Sequence, residues 1–269
     1  MRGMYTVGAL DLLQEQGLGF DGMMGVSAGA VFSPNFLSGQ AGRAIRYNKR
    51  FIADKRYMGL GSLLRTGDLF SKDFAYGTVP RELDPFDDEA FKASGVPFYA
   101  VVTALESGQA EYMQIHSVFD DMEILRASAS MPFVSKPVQI GGRLYLDGGV
   151  ADSIPFEAME KMGFEKLVVI LTRDMDYRKS AMPVLPIKLW FGKYPAFRDQ
   201  LLRRHLNYNE AVERLKEQER QGKVFVLRPS QPIDIGRLEK DPAKLQEVYD
   251  LGRRDAAAVL DELRAYLQG

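Results

Sequence analysis

With 269 residues, 46% of them hydrophobic and 26% charged, the chain has an ordinary globular composition and enough length to bury a sizeable core in one large α/β domain. A formal charge of -1, from 35 basic and 36 acidic residues, gives no general field to gather nucleic acid or an anionic surface, so any such attraction is local. Without cysteine there is no disulfide framework, thiolate nucleophile or thiolate metal site, which leans towards a cytoplasmic location, and no apolar run approaches the roughly 20 residues of a membrane-spanning helix.

In chain order, Val7, Leu10 and Leu13 fall near helical spacing and Gly17 reads as a stop, so the chain is expected to open with a helix rather than a secretory leader. Met23-Met24-Gly25-Val26 suits a short buried strand, and a helix is expected from Ala28, broken by Pro34. A basic helix over 41–53 carries Arg43, Arg46, Lys49 and Arg50, read as a solvated face in preference to an anionic-lipid patch. Residues 58–80 read as loops and short helical pieces. Strands are expected over 97–104 and 108–113, a helix over 120–129, and a hairpin over 138–146 turning at Gly141-Gly142. A helix over 155–162, apolar strands over 167–172 and 224–227, and a mostly helical tail over 241–267 complete the pattern. Strands alternating with helices predict a three-layer α/β/α architecture with a mostly parallel central sheet. No repeat or linker interrupts it, so 1–269 reads as a single domain, with a core at 1–160 and further strands and carboxy-terminal helices at 161–269.

Gly25-Val26-Ser27-Ala28-Gly29 has the form G-x-S-x-G, in which glycines flanking the serine permit a sharp strand-to-helix turn that exposes the hydroxyl. The amides of the following helix then favour the negative charge that develops in acyl transfer. The pattern is weak alone; an apolar strand before it and small residues after it supply the setting it needs. A base for Ser27 is sought next. His116 and His205 are the only histidines, and both read better as surface or packing residues. Asp147 ends a predicted strand, and Gly148-Gly149 lets the backbone turn without covering its carboxylate. An ordinary aspartate is a poor base toward a serine hydroxyl, so either the site is partly desolvated or the proton passes only as the tetrahedral intermediate forms.

These segments resemble the patatin-like phospholipase family. Gly25 to Ala30 is similar to its nucleophile elbow, Asp147-Gly148-Gly149 to its Asp-Gly-Gly/Ala motif, and Arg126-Ala127-Ser128-Ala129-Ser130-Met131-Pro132 to the segment that precedes it. The resemblance covers about 1–160 with specific motifs and continues more loosely near 170 and 225. It implies a Ser27–Asp147 dyad, no metal, no cofactor, and hydrolysis of fatty acyl esters through an acyl-enzyme. A third motif of the family, G-G-G-x-R/K-G, supplies oxyanion amides; Met1-Arg2-Gly3 aligns with its last three positions, which points to Arg2, Gly3 and Ala28 as the oxyanion hole. The upstream glycines and the strand before them are absent, so either the start codon was assigned late, the preferred reading, or the product is truncated. A missing central strand is expected to leave unpaired backbone in the sheet.

The substrate is therefore expected to be a lipid or other acyl ester, with peripheral membrane contact and no nucleic-acid partner. Residues 182–194, apolar, proline-punctuated and holding the only tryptophan, read either as a mobile flap that lines an acyl groove or meets lipid, or as a loop packed on the core. Phe32, Phe36 and Met131 are further pocket candidates. Two other readings stay open: a catalytically impaired lipid-binding or regulatory protein of the same fold, and an acyltransferase using the same dyad.

Overall fold

The computed structural model describes residues 1–236 and 238–269, without the side chains of Leu60 and Arg65. Its strands are β1 (Met23–Val26), β2 (Phe98–Ala104), β3 (Ala110–Ile115), β4 (Val138–Ile140), β5 (Arg143–Asp147), β6 (Leu167–Ile170) and β7 (Val224–Leu227). Helices cover both faces, and side-chain alternation along the strands shows how. Met23, Val168 and Phe225 pack with Leu10 and Leu13 of the helix Gly3–Glu15 and with Leu263. Their chain neighbours Met24, Val169 and Val226 point the other way, onto Phe156, Met159, Val212 and Leu215. Period-2 side chains thus join two helical layers through one sheet layer, giving the three-layer α/β/α arrangement.

The sheet itself is mixed. β1–β2 and β6–β7 pair parallel, whereas β2–β3, β2–β5 and β4–β5 pair antiparallel. The parallel pairing expected for most of the central sheet is seen in the β1–β2 and β6–β7 pairs, and the β3–β5 flank adds antiparallel strands to it. Short loops make β2–β3 and β4–β5 antiparallel, because a short loop can only return the chain that way, whereas β2–β5 is a pairing between strands distant in sequence. Among the described residues β1 pairs only with β2 and β6 only with β7, so the two sheets do not join. The facing sides of β1 and β6 line one cavity, which leaves Val168, Val169 and Ile170 only half-buried in a strand as apolar as a central one.

The carboxy-terminal helix Pro242–Ala258 locks onto the first helix at a backbone-to-backbone crossing. A Cβ on Gly8 would stand 2.0 Å from the Tyr249 carbonyl, and one on Gly252 would stand 2.1 Å from that of Tyr5. Asp11, buried there, accepts hydrogen bonds from the Tyr249 hydroxyl and the Gly42 amide at 2.9 Å each. These contacts fix the start of the chain, and with it Arg2 and Gly3, against the sheet.

The helix Asp88–Ala93 and two longer segments differ from the sequence reading. Pro195–Arg220 is a 26-residue helix that the reading left unassigned. Its buried residues, Phe197, Leu201, Val212 and Leu215, are spread thinly among charged ones, so its apolar stripe is faint in sequence. The proposed flap holds the helix Val184–Trp190, anchored by Ile187 and by Phe191, which are buried with Phe197, Leu201 and Leu146. Pro186 is tolerated because it stands in the first turn, where its missing amide hydrogen has no intrahelical acceptor to lose.

Candidate active site

Strand β2 has two edges, and β3 occupies one of them from Phe98 to Thr103. β1 and β5 must share the other. β1 runs parallel along Phe98–Val101 and ends with Val26 opposite Val101; β5 runs antiparallel along Val102–Ala104 and ends with Asp147 opposite Val102. The two strands therefore approach each other along one edge and stop one register position apart. Ser27 and Asp147, 120 residues apart in sequence, meet there: the Ser27 hydroxyl donates to Asp147 Oδ2 at 2.6 Å.

Both chains must turn away sharply at this junction. Ser27 takes φ 56° and ψ -119°, a conformation rare for a residue with a side chain, before the helix Ala28–Phe32 begins. Gly25 is required by close approach, since a Cβ there would lie 2.6 Å from the backbone of Ala30. Gly29 is not: a Cβ there would meet nothing within 4 Å, so the reading that both flanking glycines avoid a collision holds for Gly25 alone. Here the helix turns Gly29 outward. Gly148 is the tightest of the motif glycines, with space for a Cβ only 2.1 Å from the Val101 carbonyl oxygen.

Asp147 is 3% exposed, and burial raises its carboxyl above the ordinary aspartate range, opposed by the Ser27 hydroxyl, the nearby Arg204, the Gly149 amide and Lys179. The desolvation expected for a carboxylate base is thus present. The Gly149 amide donates to Oδ1 at 2.7 Å, which leaves Oδ2 aimed at Ser27. Further supports are residues to which the sequence reading gave no role. Ser128 Oγ accepts the Ser27 amide hydrogen at 3.0 Å, the Ser130 carbonyl accepts that of Asp147 at 2.8 Å, and the Thr103 hydroxyl donates to the Asp147 carbonyl at 2.9 Å. Ser128 and Ser130 stand in the segment singled out by resemblance, so their position carried a signal. Lys179 and Arg204 lie on the same wall with no motif to announce them.

Ser27 and Asp147 open on the cavity between β1 and β6, of about 1140 Å³. Arg2, Gly3, Ala28, Phe32 and Met131 line it, as does Met182. Phe36 does not; it is buried in the core with Leu10, Leu13 and Phe98. Neither histidine lines it, and His205 instead contacts the Leu202 carbonyl at 3.1 Å within its helix. Gly3 presses against the elbow, a Cβ there standing 2.8 Å from that of Ala28. Gly3 and Ala28 each begin a helix, so neither amide has an intrahelical acceptor, whereas those of Met4 and Tyr5 donate to the carbonyls of Met1 and Arg2.

A family model for patatin-like phospholipases matches residues 1–159, and the chain belongs to that family. A model for a domain of unknown function, DUF6363, matches residues 194–268. Among relatives, the uncharacterized protein YjjU of Escherichia coli (strain K12) is 26% identical over 260 residues, 94% of this chain and 72% of that protein. The lysophospholipase nte1 of Aspergillus niger is 25% identical over 284 residues, 98% of this chain but 18% of that protein, and the Candida albicans lysophospholipase NTE1 is 29% identical over 155 residues, 54% of this chain and 11% of that protein. The chain therefore spans less than a fifth of the length of these fungal relatives. Among the described residues no helix is long and apolar enough to cross a membrane.

Proposed function

We propose that the protein is a serine acyl hydrolase of phospholipase A or lysophospholipase type, acting through a Ser27–Asp147 dyad and an acyl-enzyme. The 2.6 Å hydrogen bond between the Ser27 hydroxyl and a buried Asp147 carboxylate, both lining the cavity, carries this reading. Ser27 Oγ attacks the ester carbonyl carbon while its proton passes to Asp147 Oδ2. The negative oxygen is held by the amides of Gly3 and Ala28, with Arg2 adding positive charge nearby. As the carbonyl re-forms, the alcohol leaves with the proton from Asp147. Asp147 then takes a proton from water, whose oxygen attacks the acyl carbon and releases the fatty acid and the free serine.

Residues 1–269 work as one domain in this proposal, with the dyad in 1–160 and one wall of the cavity supplied from 161–269. No metal or cofactor takes part in any step. The helix Val184–Trp190 faces a lipid surface: Leu185, Leu189 and Trp190 are 67%, 77% and 66% exposed, beside the exposed Lys188 and Lys193. Phe133, which lines the cavity, stacks edge-on with Trp190 at 5.9 Å and so links that face to the site.

The test is release of fatty acid from a lysophospholipid, with fluorophosphonate labelling followed in parallel. Wild type releases acid and is labelled at Ser27; Ser27→Ala does neither. Hydrolysis that survives in Ser27→Ala overturns the nucleophile assignment. An added glycerol acceptor that captures most of the acyl group would favour transfer over hydrolysis, and a Ser27 that takes up neither probe nor acyl group would favour a lipid-binding protein.

A further inference from the structure

The dyad has an unusually cationic neighbour. Four basic side chains, Arg2, Arg173, Lys179 and Arg204, line the cavity that holds Ser27 and Asp147, and all are half-buried. They arrive from three places: the head of the first helix, the loop after β6, and the helix Pro195–Arg220. Gly149, two residues beyond Asp147, is where they reach the dyad. Arg204 donates its Nε hydrogen to the Gly149 carbonyl. The Ser153 hydroxyl donates to the same oxygen at 2.7 Å, and Lys179 Nζ stands 3.4 Å from Ser153 Oγ.

Aromatic faces, rather than carboxylates, seat two of these cations. Arg173 lies over Tyr177 and Lys179 over Tyr208, each 4.0 Å from the ring centre, and the two rings meet edge-on at 5.9 Å. Among the described residues neither Arg173 nor Lys179 makes an ion pair. A ring face holds a cation in place without neutralising it, so its charge stays available to a ligand. Burial and the positive charges of Arg204, Arg2 and Arg173 draw the Lys179 ammonium down to about 7, against the pull of Asp147. Asp174, beside Tyr208, is the other carboxylate felt on this wall. The positive charges of Arg204, Arg2 and Arg173 repel the Lys179 ammonium, and an anion entering among them would relieve that repulsion.

We propose that Arg2, Arg173, Lys179 and Arg204 form a phosphate-binding wall that selects acyl lipids carrying a phosphate group and seats that group while the ester carbonyl lies at Ser27. The proposal deepens the hydrolase reading and rests on it for the placement of the ester. Arginines suit this task because their guanidinium forks match phosphate oxygens, and Lys179 adds a movable charge. Binding of a phosphodiester restores the Lys179 ammonium, so it takes up protons and weakens as the pH rises past about 7.

A matched pair of substrates, 1-palmitoyl-lysophosphatidylglycerol and 1-monopalmitoylglycerol, differing in the phosphoglycerol group, tests this. Wild type favours the phosphodiester, and Lys179→Met and Arg173→Gln each lower the ratio of the two kcat/KM values by about tenfold, mainly through KM for the phosphodiester. A ratio within about twofold of wild type in both variants overturns the proposal. Binding of lysophosphatidylglycerol to Ser27→Ala, measured calorimetrically between pH 6 and pH 8.5, keeps the question independent of catalysis. The expected result is weaker binding at the higher pH, with proton uptake that Lys179→Met abolishes; pH-independent binding in both proteins overturns the assignment to Lys179. Inorganic phosphate serves as the headgroup-free probe: competition by phosphate alone, at the same strength as by lysolipid, would mark a free-phosphate site and overturn the lipid assignment. Loss of hydrolysis with the binding pattern intact would fault the dyad and leave the wall standing.

Discussion

The junction where β1 and β5 end on β2 and the helix Val184–Trp190 differ in how their functional side chains are held. At the junction the backbone decides: Gly25 and Gly148 leave no room for a Cβ, and Ser128, Ser130 and Thr103 bond the main chain of the two dyad residues. At the helix, Ile187 and Phe191 anchor one side and the other is left to solvent, so its exposed residues owe little to the fold. The first region stores cost for chemistry; the second presents surface for encounter. A substitution at the junction should therefore alter catalysis or stability strongly, and one on the exposed helix face should alter lipid binding with little effect on stability.

The largest effect expected is that of Asp147→Asn, which removes the base and lowers kcat/KM for a soluble ester by about 10³-fold. The same change sharpens the contrast in stability. Because burial raises the Asp147 pKa above its unfolded value, the group favours the fold when protonated, below the unfolded value near 3.8, and loses that contribution as pH rises through the raised native value. At pH 8 the buried charge is a cost, so Asp147→Asn should melt higher than wild type despite its lower activity; a lower melting temperature at that pH would contradict it. The acid limb of wild-type kcat/KM should correspondingly lie above the ordinary aspartate range.

Next in size, Gly148→Ala places a methyl against the Val101 carbonyl, which is backbone and cannot swing aside, and should destabilise by about 3 kcal/mol in urea unfolding. Gly29→Ala is its control. That site is open, and a change within about 0.5 kcal/mol is expected. Ser128→Ala leaves the Ser27 amide without its acceptor and should cost about 1 kcal/mol in the same measurement. The smallest stability effect belongs to Leu189→Ser on the exposed face, within about 0.5 kcal/mol, accompanied by weaker binding to phosphatidylglycerol vesicles. Trp190 is the only tryptophan, so a blue shift of its emission on adding vesicles reads that contact directly, and an unchanged spectrum would remove the helix from the lipid interface.

Much of this was written locally. The run Met23-Met24-Gly25-Val26 before a serine flanked by small residues determined a strand, a turn and a helix, because backbone sterics at such a turn admit few sequences. The Gly141-Gly142 turn determined the β4–β5 hairpin and so where Asp147 emerges. Family motifs in 1–160 marked Ser27 and Asp147, the two residues of the proposed dyad. What tertiary structure alone decided is their meeting: the serine and the aspartate join because β1 and β5 happen to end one register position apart on the same edge of β2, a relation between distant strands that no local pattern encodes. The cationic wall was equally silent in sequence. Arg2, Arg173, Lys179 and Arg204 are scattered along the chain like any surface charges, and only the packing of the first helix and the helix Pro195–Arg220 around the cavity brings their like charges together beside the carboxylate.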